Sequence, residues 1–163
     1  MPAPVVGHLL TGKDQLARGN WIMSTIATYR SWTFDLPAEF GHRDVTAQVQ
    51  DFVTESNVET GITSVQLVGS TGAVTTIEYE SGALADLRRA LDRAVPADGH
   101  YEHNARWGDG NGFSHVRSAM LKTSIVVPVI NGRLNLGTWQ QIVIINLDNR
   151  SRARKMTAVV VGV

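Results

Sequence analysis

The sequence predicts an α+β fold: one compact domain built on a mainly antiparallel sheet with two or three helices. Three observations carry this. Strand-like segments recur along the chain without the regular βαβ alternation of a doubly wound parallel sheet. Two segments instead place apolar residues at helical spacing. Asn131-Gly132, set between strand-like runs, is the strongest short hairpin signal in the chain. A length of 163 residues suits one domain with a substantial core better than two.

Residues 1–24 are mixed in character, with Pro2, Pro4, Gly7, Gly12 and Gly19 and no clear period, and read as an N-terminal extension or leader, one use of which is to drape over a neighbouring subunit. The domain proper is then 25–163. Residues 26–34 are rich in β-branched and aromatic side chains and predict a first strand. Val45, Val49, Phe52 and Val53 make one stripe of a helix, with Asp44 placed to cap it. Residues 62–68 and 73–77 are strand-like on either side of Gly69-Ser70-Thr71-Gly72. Leu84, Leu87, Leu91 and Ala94 form a second amphipathic helix that Pro96 stops, its outer face charged and solvated. A polar loop over 98–113 follows, and a short helix opens near Ser114. Residues 124–130 are a strand in which Pro128 argues for an edge or a bulge. Asn131-Gly132 turns it onto Arg133-Leu134-Asn135-Leu136, and residues 141–147 and 156–161 complete a β-rich C-terminal half.

The composition excludes several functions. Fifteen basic residues balance fifteen acidic ones, which removes any broad electrostatic case for nucleic acid or an anionic membrane. Near-zero net charge also eases self-association. No cysteine is present, so disulfides, thiolate catalysis and Cys-based zinc sites are out, and any transition metal would need His, Asp or Glu. No segment nears the roughly 20 apolar residues of a membrane span, and residues 1–25 lack an apolar run of signal-peptide length. The expected compartment is the cytoplasm.

Chemistry concentrates in residues 101–117, where His103, Asn104, Arg106, Trp107, Asp109, Asn111, His115 and Arg117 share one Gly-broken stretch. Loops this polar do not build cores. Imidazole is both a common metal ligand and the natural proton carrier near neutral pH. His103 and His115 stand at the two ends of the loop and can converge on one point, though a zinc site needs a third protein ligand, for which Asp109 or Glu102 is available. The plainer alternative is loop histidines bonded to backbone; His8, His42 and His100 are read as surface residues.

Gly69-Ser70-Thr71-Gly72 leaves backbone N–H groups free to meet an anion, or is an ordinary turn. Glu78 and Glu80 serve as base or ligand, or cap the next helix. Arg150, Arg152 and Arg154 alternate and share a face if extended, making either a phosphate clamp or a guarded strand edge. Gln140, beside Trp139 and Gly137, offers an amide and a wall to a small heterocycle, or packs in the core.

Taken in order, Tyr101-Glu102-His103, Ser114-His115-Val116-Arg117-Ser118, Val127-Pro128-Val129 with Asn131-Gly132, and Leu136-Gly137-Thr138-Trp139-Gln140 resemble the YjbQ family, also called UPF0047. The match runs over residues 26–162. The resemblance implies a largely antiparallel α+β fold, a homotrimer with sites near subunit interfaces, and thiamine-phosphate synthase activity. That reaction joins a pyrimidine diphosphate to a thiazole phosphate and releases pyrophosphate. An anion clamp, a proton carrier and a divalent cation, zinc or magnesium, would suit it.

The sequence departs from the family pattern at telling places. Ser70 stands where a histidine is usual, in Ser70-Thr71-Gly72-Ala73 against His-Thr-Thr/Ser-Ala. Glu78-Tyr79 replaces Asn-Glu, and Phe113 replaces a further histidine. A three-histidine metal site therefore does not carry over. Either Glu78, Glu80 or Asp109 substitutes as a ligand, or an anion pocket takes the metal's place.

The expected site thus has His103, His115 and Asp109 as acid/base groups, with the two histidines as metal ligands. Ser70, Thr71, Asn111, Arg117, Gln140 and Arg154 would bind a small phosphorylated molecule. The competing expectations are a non-catalytic oligomer binding phosphate or metal on the same fold, and a metal-dependent hydrolase lacking an identified third ligand.

Overall fold

The computed structural model describes residues 25–163, so the reading of residues 1–24 as an extension lies outside the described residues. Eight strands and four helices follow one another from there: β1 (Ile26–Leu36), β2 (Gly41–Asp44), α1 (Thr46–Ser56), β3 (Thr60–Leu67), β4 (Gly72–Ile77), α2 (Ser81–Ala94), α3 (Glu102–Trp107), α4 (Gly112–Leu121), β5 (Ser124–Ile130), β6 (Arg133–Leu134), β7 (Gln141–Asn146) and β8 (Arg152–Gly162). Every strand pairing is antiparallel. The strands form two sheets, ordered β1-β8-β3-β5-β6 and β2-β7-β4. The α+β expectation holds, with the strands divided between two sheets.

Alternation decides which face of the larger sheet is buried. Phe34, Leu36, Val65, Leu67, Val127, Val129, Met156, Ala158 and Val160 point inward with Val49, Phe52 and Val53 of α1 and meet Val74, Ile142 and Ile144 of the smaller sheet. The other face of that smaller sheet, through Ala73, Val143 and Ile145, packs on Leu84 and Leu91 of α2. Strand β7 is therefore buried on both faces, which explains its unbroken apolar run Ile142-Val143-Ile144-Ile145. The molecule stacks a sheet, a second sheet and a helical layer. No helix among the described residues is long and apolar enough to cross a membrane.

Local signals behave as their chemistry requires. Asn131 and Gly132 both take positive φ (52° and 68°), the conformation a two-residue hairpin needs, and join β5 to the short β6. Pro128 lies in β5, whose outer side is covered only by the two residues of β6, so its missing N–H leaves no ladder bond broken. Asp44 precedes the cap of α1, which is Val45; its carboxylate still accepts from the backbone N–H (2.8 Å) and hydroxyl (2.6 Å) of Thr46. Glu80 caps α2 by accepting from the N–H groups of Gly82 and Ala83, and these bonds hold its carboxyl below the usual range. The cap absorbs Glu80, which is thus not a ligand in the site.

The polar loop expected over 98–113 contains a fourth helix, α3, beyond the two or three expected. Residues 101–107 hold neither Gly nor Pro, Glu102 and Arg106 suit its two ends electrostatically, and Gly108 ends it in the left-handed region.

Candidate functional site

Two chain crossings between the sheets lie side by side and create the site. Residues 68–71 carry the chain from β3 in the large sheet to β4 in the small one, and residues 147–151 return it from β7 to β8. The Leu147 N–H donates to the Thr71 carbonyl at 3.0 Å, which clamps the crossings together. The segment between α3 and α4 closes over them: Asn149 donates from its side chain to the Asp109 carbonyl (2.9 Å) and from its backbone to Asn111 Oδ1 (3.2 Å).

The floor is a buried polar network. Arg154, projecting inward from β8, is 7% exposed, beside Asn146 at 0% and Asp148 at 2%. Its Nε and Nη2 donate to Asn146 Oδ1 at 3.0 and 2.6 Å, and Nη2 also donates to the carbonyl (2.9 Å) and hydroxyl (2.7 Å) of Thr71. The Thr71 hydroxyl in turn donates to Asp148 Oδ2 at 2.8 Å. Arg152 straddles the same carboxylate, with Nε to Oδ2 at 3.0 Å and Nη2 to Oδ1 at 3.3 Å, and the Arg150 N–H adds a third donor. Burial pushes the Asp148 carboxyl up, but these donors outweigh it and leave the group below its usual value. Burial draws the Arg154 guanidinium down, opposed by Asp148, and arginine stays charged regardless.

One atom of this network faces outward. Arg154 Nη1 makes no hydrogen bond to the described residues and lies against Gly69, where an added Cβ would stand 3.1 Å from it. Gly69 has φ of 129°, a conformation open to glycine, so backbone geometry and space both demand that residue.

The opposite wall carries two histidines and a carboxylate. Gly69, Ser70, Thr71, Asp109, Asn111, His115, Asp148, Arg152 and Arg154 line one open cleft of about 350 Å³. His103 stands behind His115, their ring centroids 4.4 Å apart, and its Nε2 meets Asp109 Oδ2 at 3.3 Å. The other Asp109 oxygen accepts the Asn111 N–H at 3.1 Å; that bond, with the contribution of His103 against burial, holds the Asp109 carboxyl below its usual value.

The structure thus brings His103, His115, Asp109, Ser70, Thr71, Asn111 and Arg154 together. It does not bring Arg117 or Gln140 with them. Arg117 is 4% exposed, donates to the Val95 carbonyl (2.9 and 2.7 Å) and Asp92 (2.9 Å), and lies over the Phe113 ring; it ties the end of α2 to α4. Its place is structural because those acceptors consume the guanidinium. Gln140 sits beyond the far end of β7, donating to Thr76 and accepting from the Gly137 N–H.

Sequence reasoning missed Asn146 and Asp148, although two polar residues closing an unbroken apolar strand were a usable signal. Of the remaining histidines, His42 is half-buried between the Phe40 and Tyr79 rings with Nδ1 on the Phe40 carbonyl, and His100 is exposed. His8 lies outside the described residues. Among the described residues no three His, Asp or Glu side chains come together to hold a metal. The donor set of one chain does not fit a zinc centre, because Asp109 is committed to Asn111 and His103.

A protein-family model described as UPF0047 protein YjbQ-like matches residues 30–163. The chain belongs to the UPF0047 family. A UPF0047 protein of Methanothermobacter thermautotrophicus is 38% identical over 135 residues, covering 80% of this chain and 92% of the relative. One from Mycobacterium tuberculosis is 36% identical over 118 residues, covering 71% and 86%. Among solved structures, a YbjQ-like protein of unknown function from Sulfolobus solfataricus superposes with a TM-score of 0.81 at 26% identity, over 86% of this chain and all (100%) of that one. A hypothetical protein from Aeropyrum pernix gives 0.77 at 27% identity, over 83% and 99%. These UPF0047 matches agree with the resemblance carried by the sequence motifs.

Proposed function

We propose that the cleft binds a small phosphorylated molecule and supports C–N bond formation with release of pyrophosphate, a reaction of the thiamine-phosphate synthase type. The observation that carries the reading is Arg154. Its guanidinium is fixed on three sides by Asn146, Thr71 and Asp148, and its one unbonded nitrogen is aimed past Gly69 into a cleft that also holds His115. A donor fixed before the ligand arrives costs no reorganisation when charge develops on a leaving group.

In such a reaction a ring nitrogen attacks the methylene carbon bearing the diphosphate. The C–O bond breaks, and pyrophosphate departs with the electron pair. Arg154 and Arg152 meet the growing charge, Ser70 and its loop supply further donors, and His115, backed by His103 and Asp109, delivers one proton to the departing oxygen. No step is assigned to a metal. Homotrimeric assembly belongs to the same proposal and is supported by the outer face of the large sheet, where Tyr29, Ile62, Val126, Ile130, Val159 and Val161 stay exposed. Light scattering of the purified chain tests it; a monomer at micromolar concentration would refute it.

His115→Ala is expected to lower the rate of thiamine-phosphate formation by roughly 10²–10⁴ while leaving pyrophosphate affinity within a few-fold and the melting temperature nearly unchanged. An unaltered rate in that variant would remove His115 from the chemistry. A second reading, a phosphate-binding protein without catalysis, is favoured by Ser70 standing where family members usually carry histidine. Pyrophosphate binding with no turnover in the unmodified protein would establish it.

A further inference from the structure

The outer face of the large sheet is apolar at one end only, and the strand register shows where. One row across the sheet reads Ala27, Val161, Ile62 and Pro128; the next reads Tyr29, Val159, Ser64 and Val126. Ile130 extends the patch past the first row. The third row is polar throughout, with Ser31, Thr157, Gln66 and Ser124, and the Ser31 and Thr157 hydroxyls bond each other at 2.9 Å. Both hydrophobic cores lie on the other side of this sheet, and among the described residues no element packs on the patch, leaving Val126 60% and Tyr29 73% exposed.

The patch is roughly 20 Å by 15 Å, on the order of 300 Å². A stable interface between separate molecules buries roughly 800 Å² on each partner, so this patch does not by itself hold a second copy. A segment tethered to the sheet needs much less, because attachment removes most of the translational cost of binding.

The sequence supplies such a segment. Strand β1 begins at Ile26, next to Ala27 of the first apolar row, so residues 1–24 join the sheet at the edge of the patch. Residues 15–24 contain Leu16, Trp21, Ile22 and Met23 and reach up to about 33 Å when extended, more than the width of the patch. They precede the residues matched by the family model, 30–163, so the shared fold does not supply this cover. Trp21 and Ile22 laid on the patch hide apolar surface on both sides of the contact.

We infer that residues 1–24 of each chain lie across the apolar end of its own sheet, with Trp21, Ile22 and Met23 on Tyr29, Val126, Val159 and Val161. Copies that assemble on this side meet through the covering residues as well as the sheet. The anion site proposed above plays no part in this contact.

The absence of cysteine from the sequence allows a clean test on the full chain. Val126→Cys reports on the patch and Ser31→Cys, in the polar row, on bare sheet, with the rate of maleimide modification read for each. Trp21→Ser, Ile22→Ser and Met23→Ser together should speed modification at Val126→Cys by at least about tenfold and change it at Ser31→Cys by less than about twofold. With the natural segment the slow rate at Val126→Cys should be the same at low and high protein concentration. Ile62→Cys, a second reporter within the patch, should repeat the result. An unchanged Val126→Cys rate would overturn the cover, whether the thiol reacts quickly because the patch is bare or slowly because a second copy shields it. Protection that appears only as protein concentration rises would assign the patch to a neighbouring copy and overturn it as well. Phosphate binding enters neither readout, so the anion site stands or falls separately.

Discussion

Strand β7 has a conspicuous polar motif at each end, and the two ends were built differently. At its C-terminal end Asn146 and Asp148 are almost wholly buried and gather Thr71, from a distant part of the chain, with Arg152 and Arg154 of the following strand. At its N-terminal end the turn through residues 137–140 is held by local bonds between Gln140 and Gly137 and one from Gln140 to the neighbouring strand residue Thr76, and leaves Trp139 71% exposed. The strand's six residues separate them by about 20 Å. One chain cannot bring both motifs to one small ligand. A buried, convergent network prepares a charge for binding, whereas a self-contained turn displays a side chain.

The contrast is broken most severely at Arg154. Arg154→Met leaves Asn146 and Thr71 without their shared donor and Asp148 without one of its two ion-pair partners, and should cost about 3–5 kcal/mol of stability in urea unfolding, with phosphate binding lost. Arg154→Lys keeps the charge but not the fork, so it should retain the fold better while weakening phosphate by about tenfold or more. Gln140→Ala at the other end should change stability by about 0.5 kcal/mol or less and leave phosphate affinity unaltered. A Gln140 variant that lost phosphate binding in calorimetry would mean that the two ends cooperate, through a neighbouring copy.

Asp148 sharpens the comparison through pH. Its folded-state value lies below the ordinary carboxyl value near ~3.9, so its stabilisation is complete above about pH 4 and disappears as pH falls through the lowered value. Asp148→Asn should therefore lower stability at pH 7 and flatten the acid limb of the stability curve. Equal acid limbs for the two proteins, measured by denaturant unfolding at stepped pH, would show that Asp148 does not carry this dependence.

Much of the fold was legible because its signals are local. The hairpin at Asn131-Gly132, the stripe Val49, Phe52, Val53, the stop at Pro96 and the absence of βαβ alternation each rest on a few neighbouring residues. The split into two sheets was not legible, since a strand's own pattern does not name its partner. Helix α3 was missed because its polar composition masked a run free of Gly and Pro.

At the site, the concentration of His103, Asp109, Asn111 and His115 could be read from spacing, and the structure does assemble them. Arg117 was misplaced because a guanidinium beside a histidine pair carries the same sequence signal whether it meets a ligand or a helix C-terminus. Asp148 was overlooked for the converse reason: burial, invisible in the sequence, is what makes it the anchor of two arginines.

By itself the sequence determined the fold class, the family and the reactive groups, because periodicity, turn chemistry and ordered motifs act over short stretches. Tertiary structure decided which of those groups meet. The crossings at 68–71 and 147–151 lie far apart along the chain, and the bonds that hold them together exist only once both sheets have formed.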